Sequence, residues 1–334
     1  MRRFRRVGTA AFILVYLVIL AGGIVRMSGA GMGCPDWPKC FGEWVPPTSV
    51  SQLPADYQQR FDVYGHGVEQ FNATKTWTEY LNRLLGVLLG IAVFAFAVLG
   101  VSLLRKPGGR KLGTLAIASF LLTAFQGWLG SRVVATNLAH YMVTVHMVVA
   151  LLIAALILWA LLSSRTQYQA PKPMTQLGWW RAGALGLLAV GVVQIALGTQ
   201  LREAIDMVSQ NLSAEGRADW VTQAGLAFYL HRSFSWLVLA GSLAFAFLAH
   251  KQFGAEHRLT KLANLQAVAV VLEAGVGISL AYFALPAFLQ PIHLVVASLV
   301  VGVWVYFAGL LFLAYRRSET PSLSSTSQRV KSLG

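Results

Sequence analysis

Charge is scarce in this sequence, and acid is scarcest. Of 334 residues, 13 are Asp or Glu against 27 Lys or Arg, and charged side chains make up 12% of the chain. Soluble domains carry about 25% charged residues, so this shortage excludes an ordinary water-exposed globule. Cysteine is nearly absent as well. The two present, Cys34 and Cys40, share one short stretch, which leaves no second ligand pair at zinc-finger spacing and no second thiol pair for a dithiol relay. The glycine-rich segment Arg26-Met27-Ser28-Gly29-Ala30-Gly31-Met32-Gly33 lacks the Lys-Ser/Thr ending of a phosphate-cradling loop. The formal charge of +14 is scattered through short connections. A nucleic-acid surface needs a contiguous basic patch, so nucleic acid is excluded as a partner.

What the chain has in quantity is apolar surface, 56% of its residues. A membrane span takes roughly 20 mostly apolar residues. Eight runs qualify, centred on 8–25, 84–104, 112–131, 142–162, 182–200, 224–248, 262–285 and 292–314. The first follows Arg2, Arg3, Arg5 and Arg6 and resembles a secretory signal peptide, but the repeat described below needs it as a retained helix. Basic residues favour the cytoplasmic side. They collect before the first run, at Arg105, Lys106, Arg110 and Lys111, at Lys251, Arg258 and Lys261, and at Arg316 and Arg317. With eight spans these all share one face. The acids gather on the other, at Asp36, Glu43, Asp56, Asp62 and Glu69, then at Glu203, Asp206, Glu215 and Asp219. The expectation is a multi-pass protein of a bacterial plasma membrane, bathed in lipid, with both termini cytoplasmic.

The runs echo one another in two sets. Tyr80-Leu81-Asn82-Arg83 opens the second, and Tyr229-Leu230-His231-Arg232 opens the sixth with His in place of Asn. His146-Met147-Val148-Val149-Ala150 is matched by His293-Leu294-Val295-Val296-Ala297. The expected fold class is all-α integral membrane, with eight transmembrane helices as two duplicated four-helix bundles. An even number of spans per half brings both in from the same side, so a pseudo-two-fold along the membrane normal relates them. Residues 1–162 form the N-terminal half with an extracytoplasmic loop over 28–77, and 163–178 a cytoplasmic linker. Residues 179–317 form the C-terminal half, and 318–334 a Ser-rich disordered cytoplasmic tail. Gln126-x-x-Leu129-Gly130 and Gln194-x-x-Leu197-Gly198 also recur, but they match the third span to the fifth and read as polar contacts between helices. Glu273, with Gly275 and Gly277, is the one acid inside a run, and the sequence assigns it no role.

The candidate chemistry lies at the outer mouths of these runs. Residues three and four apart share a helix face, so Glu79, Asn82 and Arg83 point one way. A bland account makes Glu79 a helix-capping carboxylate paired with Arg83; membrane depth and the repeated frame favour a functional group. His231 and His293 begin runs on the same side at matching depth, which suits two imidazoles on opposite faces of one haem iron. Arg232 is placed to answer a propionate. In the first half His146 stands where His293 does, but Asn82 replaces the other histidine, and an amide is a poor iron ligand. One half is thus suited to a firmly held haem, the other to a haem with an open axial position. Cys34 and Cys40, on an oxidising face, are expected as a disulfide, either a staple or a redox pair. The aromatic loop around them, with Trp44, Tyr57, Phe61, Phe71 and Trp77, reads as a lid at the membrane interface. His66 within it reads as a solvated loop histidine.

Gly23-x-x-Arg26, Gly31-Met32-x-Cys34-Pro35-Asp36-Trp37-Pro38-x-Cys40, the stretch from Glu79 to Arg83, His146, His231-Arg232 and His293 together resemble the haem A synthase family over essentially the whole chain. The resemblance implies an eight-span oxidoreductase that converts a methyl substituent of haem O into the formyl of haem A for terminal oxidase assembly. It implies haem b as cofactor in the second half and substrate in the first. Glu79 is then catalytic, Asn82, Arg83 and His146 bind substrate haem, and His231, Arg232 and His293 hold haem b, the three histidines meeting iron. A haem O synthase, an electron acceptor and a second copy of the chain are the partners it suggests. The family often has Glu-x-x-His-Arg where this chain has Glu79-x-x-Asn82-Arg83, and some members carry a second cysteine pair that residues 201–223 lack. The competing function is a membrane haem b electron-transfer protein without haem-modifying activity, which needs the histidines but not Glu79. A quinone-linked disulfide oxidase would need a second cysteine pair, and a transporter would place its polar groups at the midplane.

Overall fold

The structure, a computed structural model, describes residues 1–165, 176–211 and 219–318. Among these, eight long helices carry the architecture: α1 Arg2–Met27, α2 Ala73–Val101, α3 Arg110–Ala135, α4 His140–Ser163, α5 Leu177–Asn211, α6 Leu226–Phe253, α7 Arg258–Tyr282 and α8 Leu289–Ser318. Each is long and apolar enough to cross a bilayer, and the protein is a multi-pass membrane protein. In hydrocarbon every backbone N–H and C=O must be bonded within the chain, which a helix achieves alone. Side-chain placement follows. On α2, Leu84, Val87, Leu88, Ile91, Phe94 and Val98 are exposed to what is lipid in the membrane, while Leu89, Val93, Phe96 and Ala97 turn inward.

The helices pack in two rings with the same order of neighbours. α1 packs on α2, α2 on α3, α3 on α4 and α4 back on α1; α5 packs on α6, α6 on α7, α7 on α8 and α8 back on α5. Each ring has its own apolar core, around Phe96 and Ile157 in the first and Phe245, Trp304 and Phe307 in the second. α8 also meets α1 and α4, so it lies between the rings and is the most buried span. Small residues allow the closest approaches there. A Cβ at Gly23 would stand 3.0 Å from that of Pro291.

Two boundaries differ from the hydropathy runs. α2 starts at Ala73, where the Asn72 side chain accepts from the Lys75 N–H as its cap. Glu79 therefore sits well inside the helix and is not a cap. α5 is 35 residues long, about 50 Å at 1.5 Å per residue against a hydrocarbon thickness of about 30 Å. Glu203 and Asp206, expected in a loop, lie on this extension, held by an i,i+4 pair in which Arg202 Nη2 is 3.0 Å from Asp206. The reason is local. Gln200 to Asn211 is polar but free of Gly and Pro, so hydropathy ends before helix propensity does. Within the expected linker 163–178, residues 166–175 lie outside the described residues, as do Glu215 and the expected tail from 319 onward.

Residues 28–72 close over one end of the first ring. The Cys34–Cys40 disulfide is formed, and both cysteines are buried with Phe41 and Tyr57. Phe41 meets the rings of Tyr57, Phe61 and Phe71 edge-on. Trp77 donates through Nε1 to the Pro47 carbonyl at 3.2 Å. The loop presses hardest at Gly33, where an added Cβ would lie 2.6 Å from the Lys75 carbonyl oxygen; only glycine admits that approach. Thr76 donates to the Gly33 carbonyl at 2.8 Å. At the same end, Arg26 of α1 pairs with Asp206 of α5, and the Thr144 and Thr199 hydroxyls join α4 to α5 at 2.7 Å.

Candidate functional site

Three histidines stand in one repeated setting, each lying against a glycine of a neighbouring helix. A Cβ at Gly130 would come 3.6 Å from His146 Cε1, one at Gly198 3.1 Å from His231 Cε1, and one at Gly277 3.3 Å from His293 Cε1. Four residues before each glycine, one turn back on the same face, is a polar side chain that reaches the histidine. Gln126 donates to the His146 carbonyl at 2.9 Å. Gln194 donates to the His231 carbonyl at 3.1 Å, with its amide nitrogen 3.3 Å from His231 Nδ1. Glu273 Oε1 lies 2.9 Å from His293 Nδ1. The sequence pattern alone tied Gln126 to Gln194, and the structure adds Glu273 as the third member. A legible signal existed, since Glu273, Gly277 and His293 follow one another at the intervals of Gln126, Gly130 and His146.

That correspondence extends through the connections. α3 passes to α4 through two consecutive left-handed residues, Asn137 and Leu138, and α7 passes to α8 through Ala284 and Leu285. The closing bonds also match. Leu138 N–H donates to Val133 O at 2.8 Å, and Leu285 N–H to Leu280 O at 3.2 Å. All these pairs stand at one constant offset along the chain. Non-glycine residues rarely adopt this conformation, so its double occurrence at matching places sets both histidines by the same tight turn.

His231 and His293 face each other across the second ring with ring centres 6.3 Å apart. Two imidazoles on one metal, at roughly 2 Å per metal–nitrogen bond and roughly 1 Å more from nitrogen to ring centre, stand roughly 6 Å apart. The residues present therefore fit a haem iron held from both faces. Polar atoms left unbonded point the same way. Gln194 Oε1, His293 Nδ1 and both Glu273 oxygens are buried without a hydrogen bond, and in the first ring so are Asn82 Oδ1, Gln126 Oε1 and His146 Nδ1. Buried polar atoms ordinarily have partners; these seven lie beside the histidines, while others, such as those of Trp180, Gln266 and Trp304, lie elsewhere. Arg232 is exposed, its guanidinium 5.5 Å from the centre of the Phe228 ring and 5.3 Å from that of Tyr229.

Glu79 and Arg83 are brought together, and with the disulfide loop. Glu79 is buried. Its Oε2 accepts from the Cys34 N–H at 2.8 Å and its Oε1 from Arg83 Nε at 3.1 Å. Arg83 donates through Nη1 to the carbonyls of Asp36 and Lys39, at 2.8 and 2.9 Å, and through Nη2 to that of Cys34 at 3.2 Å. Every guanidinium nitrogen is engaged, so the pair ties α2 to the Cys34–Cys40 loop. Sequence reasoning placed both residues at the site and missed this tether, which depends on loop carbonyls that carry no residue-type signal. His66 stays in the exposed loop, with Nε2 3.1 Å from the Ala135 carbonyl.

An eight-helix membrane protein in two rings, with histidines paired across one and a buried acid–guanidinium pair under a disulfide loop at the other, is the class that fold and site define. The chain belongs to the cytochrome oxidase assembly protein family, whose sequence profile matches residues 5–305. Among individual relatives, the haem A synthase of Methylorubrum extorquens is 27% identical over 324 residues, 86% of this chain and 81% of that protein. The haem A synthase of Ruegeria pomeroyi is 27% identical over 342 residues, 90% of this chain and 86% of that protein. A higher identity, 31% over 166 residues, links the chain to the haem A synthase of Nitrosospira multiformis, but that alignment spans 44% of the relative, less than half its length.

Proposed function

We propose that the protein is a haem A synthase, an oxidoreductase that binds haem O in the first ring and oxidises one of its methyl substituents to the formyl of haem A. The facing of His231 and His293 at 6.3 Å carries the haem part of this reading, and the names of the relatives carry the reaction. His231 and His293 would hold haem b, which when bound supplies one-electron transfer, and Arg232, exposed beside His231, would meet a propionate. The loop end faces outward, both termini face the cytoplasm of a bacterial cell, and the two rings are related by a pseudo-two-fold along the membrane normal. The shared order of neighbours and the constant offset support that relation. Residues 1–162 and 179–317 are its two units, with 163–178 as the link between them. A haem O synthase as donor, an electron acceptor, and assembly of copies of the chain complete the proposed partners.

In the first ring His146 holds the substrate iron. Asn82 offers Oδ1 without committing a strong ligand to the opposite face. With water as oxygen donor, conversion of the methyl to the formyl releases four electrons to the electron acceptor and four protons, two from the methyl and two from the water, so positive character develops at one carbon and protons must leave it. Glu79 is the buried carboxylate of α2 suited to stabilise that charge and receive a proton. For it to act so, and for Arg83 to hold a substrate propionate, their bonds to the loop must be exchanged as substrate enters. The Cys34–Cys40 loop is thereby both the roof of the site and the group displaced on binding.

Pigment extraction from purified protein tests the haem assignments. Haem B is expected in the unsubstituted chain, with a low-spin spectrum that His231→Ala or His293→Ala abolishes. An unchanged spectrum in both variants contradicts the ligand pair.

A further inference from the structure

Glu273 is a partly buried acid on α7, and neither the fold nor the proposed reaction uses it. Its side chain is 15% exposed and that of His293 26%. The two polar atoms are 2.9 Å apart, and no other group is bonded to either. The equivalent position in the first ring is Gln126, whose amide nitrogen is spent on the His146 carbonyl. The second histidine of the pair, His231, has Gln194. Of three histidines in one structural setting, a single one has a carboxylate at its back.

We propose that Glu273 is a positioning residue for the second-ring iron. Its carboxylate accepts from Nδ1–H of His293, fixes the tautomer that offers Nε2 to the metal, and makes this imidazole the strongest electron donor of the three. Outer partners of metal-bound histidines act in this way, orienting the ring and raising its basicity. Anionic charge against the ligand favours the oxidised iron, so the Glu-for-Gln difference sets the potential of the second ring below what a Gln at this position would give. The proposal rests on His231 and His293 as haem ligands.

The test is redox titration of the purified, haem-loaded protein followed by its low-spin band, for the unsubstituted chain and for Glu273→Gln. The isosteric amide is expected to keep the haem and its low-spin spectrum. The ratio of reduced to oxidised haem at fixed potential should rise about tenfold, about 59 mV for a one-electron couple. A retained spectrum with an unmoved potential overturns the proposal. If Glu273→Gln loses haem, Glu273→Asp, which keeps the anion, restores it under the proposal; loss from both overturns it. Survival of the low-spin band in both His231→Ala and His293→Ala instead overturns the ligand reading on which this rests, whatever Glu273 does.

Discussion

At the residue scale the site depends on which side chains were left with unused bonding capacity. Glu79 has little: the Cys34 N–H occupies one of its oxygens and Arg83 the other. Asn82, His146, Gln126 and Glu273 keep buried atoms without partners, at a cost of about 1–3 kcal/mol each unless something completes them. In Glu79 a structural tether and a proposed chemical role fall on one side chain. Glu79→Gln separates them. An isosteric amide still accepts from the Cys34 N–H but turns its NH2 toward Arg83, which keeps its bonds to the Asp36, Lys39 and Cys34 carbonyls, so loop and haem content should persist, while haem A formation falls by about 10²–10³, the loss typical of a removed transition-state electrostatic partner. Parental turnover with the haem retained would leave Glu79 as a tether alone.

At the scale of elements, the informative unit is a polar residue, a glycine one turn later, and a histidine from the next helix. The histidines and the existence of eight spans were legible because His and long apolar runs are residue-type signals. Glu273 was not placed, because the intervals it shares with Gln126 show only when the third and seventh spans are aligned, and the period of one helix says nothing of its neighbour. The extension of α5 and the early start of α2 escaped for the opposite reason. Both are helical by propensity and pairing while too polar for a hydropathy window, and Asn72 rather than Glu79 supplies the cap. The glycines of this unit are contact surfaces for the rings. Gly198→Val puts branched carbon where His231 Cε1 already stands within 3.1 Å of a Cβ position, an overpacking worth about 1–3 kcal/mol. It should cut haem b occupancy severalfold while circular dichroism keeps the helical signal, and full occupancy would show that the ring does not need the glycine.

At the scale of the molecule, two rings share α8 as their common wall. His293 is on that wall, while α4, which carries His146, packs against it. The His146 and His293 settings are thus adjacent through packed helix rather than through loop. The Arg26–Asp206 pair and the Thr144–Thr199 bond fasten the two rings at the loop end. Lysine and arginine placement favours the proposed orientation, which two single-cysteine variants test. Since both native cysteines are in a disulfide, added thiols report alone. Glu69→Cys should react with a membrane-impermeant maleimide on intact cells, and Glu256→Cys only after permeabilisation. The reverse pattern would invert the protein in the membrane.

Conversion of haem O to haem A inside a cell tests the proposed reaction most directly. The chain is to be expressed in bacterial cells that make haem O but have no haem A synthase of their own, and the total haem extracted and identified by mass. The account predicts haem A in cells with the unsubstituted chain and its loss, with haem O accumulating, in cells carrying His146→Ala. Haem B and haem O alone, from cells in which the chain is present and holds haem b, would contradict the account and leave a membrane haem b electron-transfer protein.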